Sequence, residues 1–79
     1  MLSLSYDKEF DVLYISFFDR KNSIGNETDD GNVFFRNRAT KELTGVTIFD
    51  FMEKLALNTL PSLPARYNID YQRDILPLI

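Results

Sequence analysis

The residues of this chain best equipped for chemistry are the carboxylates of its turns. Asp7, Glu9 and Asp11 bracket one turn, and Asp29 and Asp30 stand at another. Carboxylates grouped in this way can bind Mg²⁺ or Ca²⁺, or share a proton as acid and base. Asp30-Gly31-Asn32, however, matches only a fragment of a calcium loop, and no Glu stands at its closing position. Turn formation accounts for Asp7 and Asp30, because an aspartate side chain accepts hydrogen bonds from the backbone just ahead of it. The other candidates lack partners. The chain has no His and no Cys, so Ser3, Ser5, Ser16, Ser23 and Ser62 have no imidazole to activate them. A thiolate zinc site and a disulfide framework are excluded on the same count. Tyr6 and Tyr14 fall on neighbouring strands and could meet across a sheet, but a tyrosine acid needs a His, Lys or metal beside it. The expectation is no enzyme, no metal and no cofactor.

Binding to polyanions or membranes is disfavoured as well. Gly25, Gly31 and Gly45 are isolated, so no phosphate-cradling loop exists. The net charge of -3 opposes non-specific contact with nucleic acid. Arg36, Arg38 and Lys41, the densest basic group, read as a solvated hairpin end. Phe34 and Phe35 could stack on bases only within a basic surround. No basic leader precedes an apolar run, and no apolar stretch approaches the roughly 18 residues that span a bilayer. A cytoplasmic protein without membrane association is the expectation.

The elements that must position these residues are short. Seventy-nine residues make one domain with a small core. The chain is 44% hydrophobic, with seven Phe and four Tyr, which fill a thin core efficiently and mark an interface where they remain outside. Residues 2–6 alternate apolar and polar, as a half-buried strand does. After the turn at 7–10, residues 11–18 are apolar on both faces, with Leu13, Ile15 and Phe17 on one and Val12, Tyr14 and Phe18 on the other. Such a strand is usually interior and covered twice. A polar loop at 19–23 leads to a weak strand at 24–29, suited to a sheet edge. Asp30-Gly31 signals a two-residue hairpin into a strand at 32–37. A loop at 38–42 precedes the last strand, 43–49, whose alternation is irregular around Thr44 and Thr47. Asp50 and Glu53 form a capping-box pattern for a helix over 51–58 that Pro61 ends. Residues 59–79 combine three prolines with many apolar side chains, and allow a short helical turn near 70–76.

The run Tyr6-Asp7-Lys8-Glu9-Phe10-Asp11-Val12-Leu13-Tyr14-Ile15 resembles a small family known as domain of unknown function 2283. Glu27 to Val33 and Leu43 to Asp50 match the same family in order and spacing, so the resemblance covers roughly residues 2–57. It departs at Asn37 to Glu42, where the family carries Asp and Gly, and after Leu57, where no family pattern follows. The resemblance implies a β-meander followed by a helix, and no activity. Family members encoded beside toxin-like genes imply an antitoxin-like or accessory binding role. No catalytic residues carry over.

These readings converge on an α+β fold: a small antiparallel β-meander of four to five strands, a short helix and an apolar C-terminal arm. The chain divides at residue 58, with the meander and helix at 1–58 and the arm at 59–79 packing on the domain or on a partner subunit. The apolar excess points to a protein–protein interaction or oligomerising module, as a homodimer or with a small protein partner. Its interface candidates are Leu13, Ile15 and Phe17 on the sheet, with Leu60, Leu63, Tyr67, Tyr71, Ile75 and Leu76 on the arm. The alternatives are that the arm covers the sheet within one chain, or that a pocket between sheet and helix binds a ligand or metal.

Overall fold

The computed structural model describes residues 2–19 and 21–79; Arg20, within the expected polar loop, lies outside them. Five antiparallel strands form one sheet: β1 (Ser3–Asp7), β2 (Val12–Ser16), β3 (Ser23–Glu27), β4 (Asn32–Asn37) and β5 (Leu43–Phe49). Helix α1 (Phe51–Leu57) follows, and the arm then makes three short helical turns, Ala65–Tyr67, Tyr71–Ile75 and Leu76–Leu78. The fold is therefore α+β, as the alternation of apolar and polar residues indicates.

The strand order is β1-β2-β5-β4-β3. A hairpin (β1–β2) and a three-stranded meander (β3–β5) join where β2 pairs with β5. β3, the strand that follows β2 in the chain, lies at the far edge of the sheet. Just after β2 the Phe17 and Phe18 amides both donate to the Thr44 carbonyl of the central strand β5, at 2.8 and 3.2 Å. β2 is interior, flanked on both sides, and the polar β3 occupies an edge. An edge position suits a strand whose side chains are mostly exposed.

The pairing register defines two faces. On one face, Tyr6, Leu13, Ile48 and Asn32 lie side by side across four strands, and Leu4, Ile15, Val46, Phe34 and Asn26 lie across five. Leu13, Ile15, Val46 and Ile48 are completely buried. α1 and the arm pack on this face, contributing Phe51 and Ile75 to its core. The irregular alternation in β5 has a structural cause. A register shift between Phe35 and Arg36 leaves Thr44 as an extra residue. The bulge changes the phase of the strand, so Leu43 and Val46, three positions apart, share the core face. The displaced Thr44 hydroxyl is satisfied by the Phe35 carbonyl (3.1 Å) and the Ser23 hydroxyl (2.9 Å).

The β3–β4 connection is wider than the expected two-residue hairpin. Thr28 and Asn32 close it through a 2.7 Å bond from the Thr28 amide to the Asn32 carbonyl. Within the connection only Gly31 has a positive φ, at 79°. This is the three-residue hairpin pattern that ends on a left-handed glycine. The loop before β5 is organised by Asn37, whose Oδ1 accepts from the Ala39 and Thr40 amides at 2.8 and 3.0 Å.

Candidate functional site

The acidic residues of the first turn serve the backbone. Asp7 Oδ1 accepts from the amides of Glu9 (3.0 Å) and Phe10 (3.2 Å), which shapes the turn. Asp11 follows with φ 57°. Its carboxylate accepts the Tyr6 hydroxyl at 2.6 Å and the Met52 amide on both oxygens at 3.0 Å. Its carbonyl accepts the Phe51 amide at 3.1 Å. Asp11 thus satisfies the opening amides of α1 from 41 positions upstream. The expected cap, Asp50, makes no side-chain capping bond, and its φ of 56° leaves only its carbonyl to accept the Lys54 amide. The capping-box reading of Asp50 and Glu53 is corrected accordingly. A local pattern does not reveal that the hairpin turn comes to rest at the helix start.

Tyr6 and Tyr14 do not meet. Tyr6 pairs with Leu13 and Tyr14 with Ser5, so the two rings stand on opposite faces. Tyr6 packs edge-on against Phe51, with ring centroids 6.1 Å apart. Its hydroxyl is pushed up to about 12, first because Asp11 accepts its proton, then through desolvation and the charges of Asp11 and Asp7. Such a phenol holds its proton and serves as a structural donor. Tyr71 shifts in the same direction because it is buried, and it donates to the Pro61 carbonyl at 2.7 Å.

Asp29 and Asp30 remain exposed at the second turn. Beside them Lys54 reaches from α1 to the Gly31 carbonyl (3.3 Å) and to Oδ1 of buried Asn32 (3.0 Å). Sequence reasoning missed this tie, since Lys54 on a short helix carries no signal of a distant partner. Among the described residues, no group of three or more Asp and Glu side chains is placed to hold a metal ion.

The interface candidates come together in one cluster within the chain. Leu13, Ile15 and Phe17 form the floor, Ile75 is buried on them, and Leu60, Leu63, Tyr67 and Tyr71 pack against the same core. Leu76 is half-buried near the end of the arm. The Tyr67 ring stacks on Phe17 with centroids 4.0 Å apart and planes 8° from parallel, and its hydroxyl donates to the Leu43 carbonyl at 3.3 Å. Asp70 starts the turn that carries Ile75, accepting from the Gln72 and Arg73 amides at 2.9 and 3.0 Å. In the single chain, therefore, Leu13, Ile15 and Phe17 form the floor on which the arm packs.

Phe51, buried between sheet and helix, fills the space expected for a pocket there. A hollow of about 420 Å³ lies instead between α1 and the arm, lined by Leu55, Asn58, Leu60, Ile69, Tyr71 and Gln72. It is open to solvent, and Asp70 is the one charged side chain in its lining. No helix among the described residues is long and apolar enough to cross a membrane.

In comparisons with family models, curated proteins and solved structures, nothing matches this chain.

Proposed function

We propose that this chain is a small protein–protein interaction module that oligomerises or binds a protein partner in an antitoxin-like way. The observation that carries the reading is the unequal cover of the sheet. α1 and the arm pack on the Leu13–Ile15 face. On the other face Tyr14 and Phe49 keep 37% and 40% of their surface exposed. A strand apolar on both sides gains from cover on both sides.

The residues that carry the family resemblance support an architectural role. Asp7 shapes a turn, Asp11 holds the helix start, and Gly31 supplies a left-handed position. These carboxylates bond to backbone amides and to Tyr6, so the reading assigns them no chemistry on a substrate. We propose on this basis a binding module rather than an enzyme, in keeping with the family that the sequence resembles.

The test is the mass of the purified chain by light scattering after size exclusion, with recovery of the chain from its native cell. A species heavier than the 9.2 kDa chain, or a partner recovered in stoichiometric amount, is the expected result. A monomer that brings nothing with it overturns the reading. The hollow beside Tyr71 favours a second reading, a small-ligand site. A thermal shift with metabolites or divalent metals would reveal such a ligand, since saturation at a hundredfold excess over Kd adds about 2.7 kcal/mol.

A further inference from the structure

The face of the sheet opposite the arm has a composition that selects its partner. Ser5, Tyr14, Thr47, Val33 and Glu27 stand side by side across all five strands. The next row places Val12 against Phe49. Val12 and Thr47, paired with Phe49 and Tyr14, are each only 5% exposed. The result is a low apolar surface with Tyr14 and Phe49 protruding. Every α1 and arm residue of the core cluster packs on the other face.

We propose that this open face binds a second copy of the chain, sheet against sheet, in a two-fold dimer. The inference rests on the interaction reading above and gives it a partner and a surface. A two-fold interface presents the same patch twice, so the patch must tolerate itself. Val12, Tyr14, Val33, Thr47 and Phe49 are all uncharged, so self-contact brings no like charges together at the centre. The acidic members of the face, Asp7 and Glu27, stand on the two outermost strands, β1 and β3, where a rim is solvated. A partner selected by charge finds nothing to read in the middle.

Area points to the same occupant. Five strands about 4.8 Å apart and five to seven residues long form a face of about 24 by 20 Å, or roughly 480 Å² in projection. Two such faces, with the relief of their side chains added, reach the ~1,000–1,200 Å² at which specific interfaces begin. A second copy matches the whole face, and an isolated peptide covers only part of it. Aligned sheets pack about 10 Å apart with strands crossing near 30°.

Sedimentation velocity of the full-length chain over a concentration series tests the proposal, with folding of each variant checked by circular dichroism. The wild type is expected to shift from 9.2 kDa to twice that mass as concentration rises. Tyr14→Lys and Phe49→Lys, at exposed positions, are expected to fold and to weaken the dimer at least tenfold. Ile24→Lys on edge strand β3, 44% exposed and away from this ladder, is expected to leave it unchanged. A dimer that survives both Tyr14→Lys and Phe49→Lys, or that dissociates only with Ile24→Lys, overturns the face while leaving the interaction module in place. A wild type monomeric throughout overturns the second copy; if it also recovers no partner from its cell, the interaction reading falls with it.

Discussion

At the scale of single residues, Asp11 has the most consequences. It accepts the Tyr6 hydroxyl and the Met52 amide at once, and so joins the first hairpin to the helix. Asp11→Asn keeps the shape and tolerates the left-handed backbone, because Asn adopts that region readily. It removes the charge and one strong acceptor. A loss of about 1–2 kcal/mol is expected by chemical denaturation, as for a lost cap with a weakened charge-assisted bond. The Tyr6 hydroxyl should fall from about 12 toward its ordinary 10, read by carbon NMR of the ring. The wild type also has a defined alkaline weakness. Tyr6 holds its proton in the folded chain up to about 12, whereas unfolded tyrosine releases it near 10. Stability from Tyr6 is thus complete below pH 10 and declines as pH rises through 12, because the unfolded chain binds fewer protons in that interval. Tyr71 shifts the same way and adds to the decline. In Asp11→Asn the Tyr6 part of this slope should flatten, and an unchanged alkaline profile would detach Tyr6 from Asp11.

At the scale of elements, Gly25 explains how a weak edge strand is held. A Cβ built there meets Phe35 Cε1 at 2.8 Å and Val33 Cγ1 at 3.0 Å, so the Phe35 ring lies over the glycine. An aromatic ring over an edge glycine supplies the apolar contact that the glycine lacks. Gly25→Ala should displace that ring and destabilise the chain by about 1 kcal/mol, despite the better strand propensity of Ala. A rise in the melting temperature instead would mean that the ring moves aside at no cost. The example also marks what the sequence makes legible. Period-two alternation located the strands to within a residue or two, because side-chain direction follows directly from it. β3 was legible as an edge strand from its polarity, and α1 from its apolar side and Pro61. Strand order was not legible, since the pairing of β2 with β5 is a contact between distant segments. The bulge at Thr44 appeared only as a broken pattern. The cap from Asp11 and the reach of Lys54 to Asn32 gave no local signal, because both partners meet only after the sheet has formed. Of the candidate site, the sequence identified which side chains are apolar in excess, but not which face the arm would take.

At the scale of the whole molecule, the arm completes the core. The sheet and α1 alone leave Leu13, Ile15 and Phe17 open along one side, and the arm closes it with Ile75, Tyr67 and Tyr71. Ile75 has no exposed surface although it lies four residues before Ile79, in an arm interrupted by Pro61, Pro64 and Pro77. In a domain of this size the buried apolar area is barely sufficient, so no part of it is redundant. Ile75→Ala alone should cost about 2–5 kcal/mol, the range for emptying a well-packed aliphatic site. A chain shortened to residues 1–58 loses every arm contact and should lack a cooperative thermal transition and bind a hydrophobic dye. A synthetic 59–79 peptide added to it should restore the transition, with midpoints that rise with peptide concentration, because a partner that binds only the folded state stabilises it by mass action. The Tyr67–Phe17 stack supplies a local readout, since near-ultraviolet circular dichroism should recover in step. If residues 1–58 melt cooperatively at the full-length temperature, the arm is a dispensable cover and the sheet is stabilised by β5 and α1 alone. If the transition returns only with the peptide, Leu13, Ile15 and Phe17 belong to the chain's own core, and association is left to the face that carries Tyr14 and Phe49.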